Sequence, residues 1–232
     1  MQVKQFRYST DNLGYLIYKN KSAIIIDGGA VDSILSFVQQ NNLIIEFITN
    51  THAHPDHTTG NAAILNSSNG VFIDVNALYK TSFIKAGNEK LHVIHTPGHT
   101  KDSFCFYGDN ILISGDTIFN GKVGRCFSGN LNDFLKSVKT IMKLPEDTII
   151  FAGHDYIKEY MAVAKKLEPD NQYINIFLKK YNPDYVCSTL SEEMKINPCL
   201  KFNDEKMISI LKKRKLPVQT EYDRWKSIMS IV

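Results

Sequence analysis

Four stretches of this chain repeat one arrangement: an apolar run of strand length, a turn of small or glycine residues, then a histidine or aspartate. Leu43-Ile44-Ile45-Glu46-Phe47-Ile48 runs into Thr51-His52-Ala53-His54-Pro55-Asp56-His57. The other three end in Thr96-Pro97-Gly98-His99, Ser114-Gly115-Asp116 and Ala152-Gly153-His154. A fold that satisfies all four brings these strand ends to one rim of a sheet, where glycine lets the backbone bend sharply and approach a ligand closely.

Imidazole and carboxylate are the donors that first-row divalent metals prefer. The chain has seven histidines, and three of them stand within six residues beside an aspartate. The seven candidate ligands are His52, His54, Asp56, His57, His99, Asp116 and His154. One tetrahedral ion needs three or four, so seven fill two sites with a shared carboxylate. Two divalent ions are expected, zinc first, with iron and manganese also suited to these donors. Such a pair lowers the pKa of water from about 15.7 to about 7, which makes hydroxide available near neutrality. His92 and His95 lie in a strand pattern without a glycine turn, and are read as packing or supporting residues.

Interleaved strand and helix patterns run as far as residue 154. Residues 15–18 and 23–26 read as adjacent strands that end at Asp27-Gly28-Gly29, and Ile34, Leu35, Phe37 and Val38 as the inner stripe of a helix. A second stripe, Leu131, Phe134, Leu135, Val138, Ile141 and Met142, predicts an amphipathic helix. Beyond residue 155 helical patterns dominate. The expected organisation is therefore a catalytic domain over 1–154 and a helical, substrate-binding region over 155–232.

The apolar fraction of 43% and the charged fraction of 22% are those of an ordinary globular protein. A net charge of +3 gives no footprint for nucleic acid, and Lys212-Lys213-Arg214-Lys215 reads as a solvated helix end. No apolar run reaches membrane-spanning length, and Met1 to Tyr8 lack the pattern of a secretory signal, so a cytoplasmic protein without membrane contact is expected. Cys105, Cys126, Cys187 and Cys199 are widely spaced, as reduced thiols would be. A monomer or a weak homo-oligomer is expected.

His52, His54, Asp56 and His57, followed by His99, Asp116 and His154, resemble the His-x-His-x-Asp-His signature and later ligands of the metallo-β-lactamase superfamily. The resemblance implies an α/β fold, a four-layer αββα sandwich with metals at one edge and here a small C-terminal helical appendage. It also implies that His52, His54 and His99 hold one ion, that Asp56, His57 and His154 hold the other, and that Asp116 bridges them. Fold alone does not choose among the chemistries of that superfamily.

The stretches Gly115-Asp116-Thr117-Ile118-Phe119, Gly124-Arg125, Gly153-His154-Asp155-Tyr156, Leu167-Glu168-Pro169-Asp170-Asn171, Ser188-Thr189-Leu190-Ser191-Glu192-Glu193 and Asn197-Pro198 are similar to hydroxyacylglutathione hydrolases, the glyoxalase II family. That likeness covers nearly the whole chain. It implies hydrolysis of S-D-lactoylglutathione to D-lactate and glutathione, a step of methylglyoxal detoxification. A metal-bridging hydroxide would attack the thioester, with Asp56 and Asp116 as the catalytic carboxylates. Arg125, Phe127 and Tyr156 would contact the glutathione thioester, Phe127 standing where the family has tyrosine. The family's C-terminal Arg-x-x-Lys pair falls on Met229 and Val232, which leaves Arg224 and Lys226 as candidate substitutes. The rivals are a persulfide dioxygenase-like iron oxidoreductase, a hydrolase of a different thioester, and, ranked lower, a nuclease or a secreted lactamase.

Overall fold

The computed structural model describes residues 1–232, with the side chain of Ala86 left aside. The strands β1 (Gln2–Tyr8), β2 (Asn12–Lys19), β3 (Ser22–Ile26), β4 (Ile44–Thr49) and β5 (Val71–Phe72) form one sheet in that order. A second sheet runs β13-β12-β9-β8-β7-β6, built from β6 (Phe83–Ala86), β7 (Glu89–His95), β8 (Phe104–Gly108), β9 (Ile111–Gly115), β12 (Ile149–Ala152) and β13 (Ser188–Thr189). The hairpin β10 (Ile118–Phe119) and β11 (Lys122–Val123) lies between β9 and β12 in the chain.

The helices are α1 (Val31–Gln40), α2 (Pro55–Thr58), α3 (Asn61–Asn66), α4 (Val75–Leu78), α5 (Leu131–Ile141), α6 (Ile157–Leu167), α7 (Gln172–Lys180), α8 (Leu190–Ile196), α9 (Glu205–Lys213) and α10 (Glu221–Met229), with a 3₁₀ turn at Pro198–Lys201.

The period-two alternation of strand side chains explains the layering. Leu13, Tyr15 and Ile17 of β2 point inward to meet Phe104 and Phe106 of β8, Ile111 and Ile113 of β9, and Phe151 of β12 between the sheets. Their neighbours point outward. Leu16, Ala23, Ile25, Ile45 and Ile48 pack beneath Ile34 of α1 and Ile64 of α3. Cys105, Leu112 and Ile150 pack beneath Phe134, Leu135, Val138 and Ile141 of α5. The order of layers is helix, sheet, sheet, helix, the α/β sandwich expected.

The C-terminal helices share these cores. Ile157, Met161, Ile174, Phe177 and Ile196 join the layer between the sheets, while Met207, Leu211, Trp225 and Ile228 join the α5 layer. β13 extends the second sheet by pairing with β12, Ile149 opposite Thr189. A capping box in which Thr189 and Glu192 exchange backbone N–H bonds starts α8 directly after it.

Parallel pairing puts the ligand turns on one rim. β3 and β4 end together, Ile26 opposite Thr49, and so do β9 and β12, Gly115 opposite Ala152. The rims of the two sheets are then tied across: Phe104 N donates to Thr51 O at 2.7 Å and Leu13 N to Gly153 O at 2.8 Å. Among the described residues no helix is long and apolar enough to cross a membrane.

Candidate metal centre

All seven predicted ligands converge at that rim. His52, His54, His99 and Asp116 form one group, and Asp56, His57 and His154 a second, each with its ligand atoms within 4.8 Å of one another. His54 Nδ1 lies 2.8 Å from His52 Nε2 and 3.1 Å from His99 Nε2. Asp116 faces both groups, Oδ2 at 3.4 Å from His99 Nε2 and Oδ1 at 3.4 Å from His57 Nε2. His154 Nε2 is 3.3 Å from His57 Nε2 and 3.3 Å from Asp56 Oδ2. A tetrahedral ion with bonds of about 2.0–2.1 Å spaces its donor atoms about 3.3–3.4 Å apart, which is the spacing most of these contacts show.

Two glycines make this approach possible. Gly115 has φ +50, and a Cβ there would lie 2.5 Å from Thr51 Oγ1; a Cβ on Gly153 would lie 2.2 Å from Asp116 Oδ1.

The far side of four rings is fixed by acceptors. His57 Nδ1 donates to Asp27 Oδ2 at 2.9 Å, His154 Nδ1 to Asp11 Oδ1 at 2.8 Å, His99 Nδ1 to the Arg125 carbonyl at 3.0 Å, and His52 Nδ1 to Thr51 Oγ1 at 3.0 Å. Thr51 Oγ1 in turn donates a hydrogen bond to Asp27 Oδ2 at 2.7 Å. A proton held at Nδ1 leaves the Nε2 lone pair aimed into the site. His54 turns the other way and presents Nδ1.

The electrostatics agree with a cation site. Burial, then the charge of His57, pushes His52 down to about 3, and burial also lowers His99. For His57 burial opposes protonation, but Asp27 and Asp116 outweigh it and raise the ring well above its ordinary value. Burial likewise works against ionisation of Asp116, and the surrounding rings overcome it, so its carboxyl titrates well below the usual range. Asp116 Oδ1 is buried with no hydrogen-bond partner. Buried acids here favour positive charge in their midst, as a proton on His57 or as a metal ion. Donor type, spacing, tautomers and the orphaned oxygen all fit a pair of divalent metals.

The other predicted residues lie around this cluster. The Phe127 ring is 5.3 Å from His99 and 5.7 Å from His54, and the Arg125 guanidinium is 5.2 Å from the Phe127 centroid. Tyr156 stacks on His154 at 5.0 Å. Of the two candidate substitutes, Lys226 borders a cavity of about 620 Å³ with Lys122 and Arg125. Arg224 instead spends its donors on Asn203 and on the Val218 carbonyl. His92 and His95 stay out of the site, against Phe83 and against Tyr79 and Phe104 respectively.

Asp11, Asn12, Asp27 and Thr51 were not anticipated from sequence. The only local signal was at Asp27, which ends a strand before two glycines and has φ +55, a conformation that Asp tolerates better than most residues.

The family model of the metallo-beta-lactamase superfamily matches residues 12–73 and 70–154. A hydroxyacylglutathione hydrolase of Idiomarina loihiensis is 32% identical over 92% of this chain and 91% of its own length. That of Psychromonas ingrahamii is 33% identical over 87% of this chain and 86% of its own. The chain belongs to the hydroxyacylglutathione hydrolase family of the metallo-beta-lactamase superfamily. It is an enzyme of that family by sequence, and the fold agrees. The solved structure of ETHE1 from Myxococcus xanthus superposes with a TM-score of 0.68 at 24% identity, covering 100% of this chain and 96% of that one, a likeness of fold alone. In this hydroxyacylglutathione hydrolase family member the four strand-end turns and the Nδ1 acceptors together build the candidate metal centre.

Proposed function

We propose that this enzyme hydrolyses glutathione thioesters, S-D-lactoylglutathione to D-lactate and glutathione, with His52, His54 and His99 holding one ion, Asp56, His57 and His154 the other, and Asp116 bridging. The observation that carries this reading is the pairing of a seven-ligand centre with a cationic cavity. One wall of that cavity, Gly124 to Cys126, belongs to the segment whose Arg125 carbonyl holds His99. Lys122, Arg125 and Lys226 line it, the charge expected for a tripeptide with two carboxylates.

Two divalent ions, zinc by preference, would polarise the thioester carbonyl and acidify water in the site. The chain's own groups do the rest. Burial opposes ionisation of Asp56, yet the Asn12 amide and the His57 and His154 rings hold its carboxyl below the usual range. It is therefore ionised at neutral pH, and its carboxylate orients the attacking water and takes its proton. Burial and the charges of Asp11 and Asp116 push the Tyr156 hydroxyl up to about 12, so it remains a donor beside the substrate. Phe127 is 58% exposed and offers an apolar face at the entrance. A leaving thiol of pKa near 8.5 departs as thiolate, so no general acid is needed.

Lys226 stands one helical turn before Met229, whose side chain, like that of Val232, packs onto the α5 core. Lys226→Ala is expected to raise KM for a glutathione thioester about 10–100-fold, the loss of one charge-assisted hydrogen bond of about 1.5–3 kcal/mol, with kcat little changed. Steady-state kinetics against a simple acyl thioester check this. A KM that rises equally for both substrates, or for neither, removes the tripeptide from this cavity.

A further inference from the structure

The two ligand groups are not equally built. In the first group His52, His99 and Asp116 are buried and His54 is half-buried, and His52 and His99 are held by Thr51 and by the Arg125 carbonyl. In the second group Asp56 leaves 47% of its side chain exposed, on a short helix at the rim. An exposed carboxylate samples several rotamers unless something holds it, and a ligand that wanders weakens its ion.

What holds it is the turn between β1 and β2. Asn12 Nδ2 donates to Asp56 Oδ2 at 2.9 Å, and Tyr8 Oη donates to the Asp56 carbonyl at 2.9 Å. Asp11 Oδ1 accepts from His154 Nδ1 at 2.8 Å, so the same turn sets the tautomer of a second ligand in that group. The backbone of the turn is anchored separately, Asp155 N donating to Asp11 O at 2.9 Å and Leu13 N to Gly153 O at 2.8 Å. The first ion's ligands receive no side-chain hydrogen bond from Tyr8, Asp11 or Asn12 among the described residues.

We propose that Tyr8, Asp11 and Asn12 are positioning residues for the second ion alone, so that this hairpin turn decides whether the centre carries one metal or two. The proposal rests on the dinuclear reading. It adds a separable control over the second site, exerted through Asp56 and His154 by residues that are not ligands.

The test is zinc binding by the full chain. Metal-free protein is titrated with zinc against a chromophoric chelator, comparing wild type, Asp11→Ala, Asp11→Asn and Asn12→Ala. Asp11→Ala and Asn12→Ala should keep the first affinity and bind the second zinc about 10–100-fold more weakly. Asp11→Asn should recover most of that loss, because its amide oxygen still accepts from His154 Nδ1. Melting of the metal-free variants should match wild type, since the backbone anchors remain. Equal weakening of both ions, no weakening, or no difference between Asp11→Ala and Asp11→Asn overturns the proposal. A wild-type chain that takes only one zinc overturns the dinuclear reading and this inference with it.

Discussion

Asp116→Ala is expected to abolish thioester hydrolysis, lowering kcat/KM by at least about 10³-fold, or roughly 4 kcal/mol of transition-state stabilisation. Asp116 is the one carboxylate that faces both ligand groups, with contacts of 3.4 Å to His57 and to His99. Without it the inner site keeps five imidazoles and only the rim carboxylate Asp56, so positive charge there loses its buried counter-charge. The fold should survive, because Asp116 Oδ1 has no hydrogen-bond partner whose loss would leave a donor stranded. Bound metal per chain and kcat, measured on the same preparation, check the prediction. Full activity in this variant would rule out the bridging role.

The largest expected effect on stability comes from Trp225→Ala, at about 3–5 kcal/mol. Trp225 is fully buried, and its Nε1 donates to the Leu131 carbonyl at 3.0 Å. Its ring meets Phe134 edge-on at 5.7 Å and Phe202 at 5.8 Å. The helix that carries it thus closes the core over α5. Chemical denaturation should show one transition moved to lower denaturant. A separate early transition, with the main one unmoved, would mean that α10 folds apart from the sandwich.

These two positions show what was legible in the sequence. Asp116 announces itself because strand, glycine turn and ligand are adjacent in the chain, and chemistry limits which residues can follow such a turn. Trp225 does not. It lies in Glu221-Tyr222-Asp223-Arg224-Trp225-Lys226, where charged neighbours suggest a solvated helix. Only the position of α5 beneath α10 shows that one face is buried. β1 was hidden for a similar reason, as an edge strand with only Gln5 and Phe6 buried along Gln2–Tyr8.

The residues that support the candidate ligands were the least visible. Asp11 and His154 are 143 positions apart, and nothing local distinguishes Asp11 from any turn aspartate. Their meeting is a product of topology: β2 begins beside the turn after β12, where Asn12 bridges to His154. Lys226 was one of two candidate cations in the last helix, and the hydrogen bonds that occupy Arg224 are a tertiary fact.

The most direct test of the account is hydrolysis of S-D-lactoylglutathione by metal-quantified protein, with thioester loss followed by absorbance and dissolved oxygen recorded in the same vessel. The account predicts saturable cleavage with two divalent metals per chain, preference over a thioester lacking the tripeptide, and no oxygen uptake. Oxygen consumption with a single iron per chain, or cleavage indifferent to the tripeptide, would contradict it.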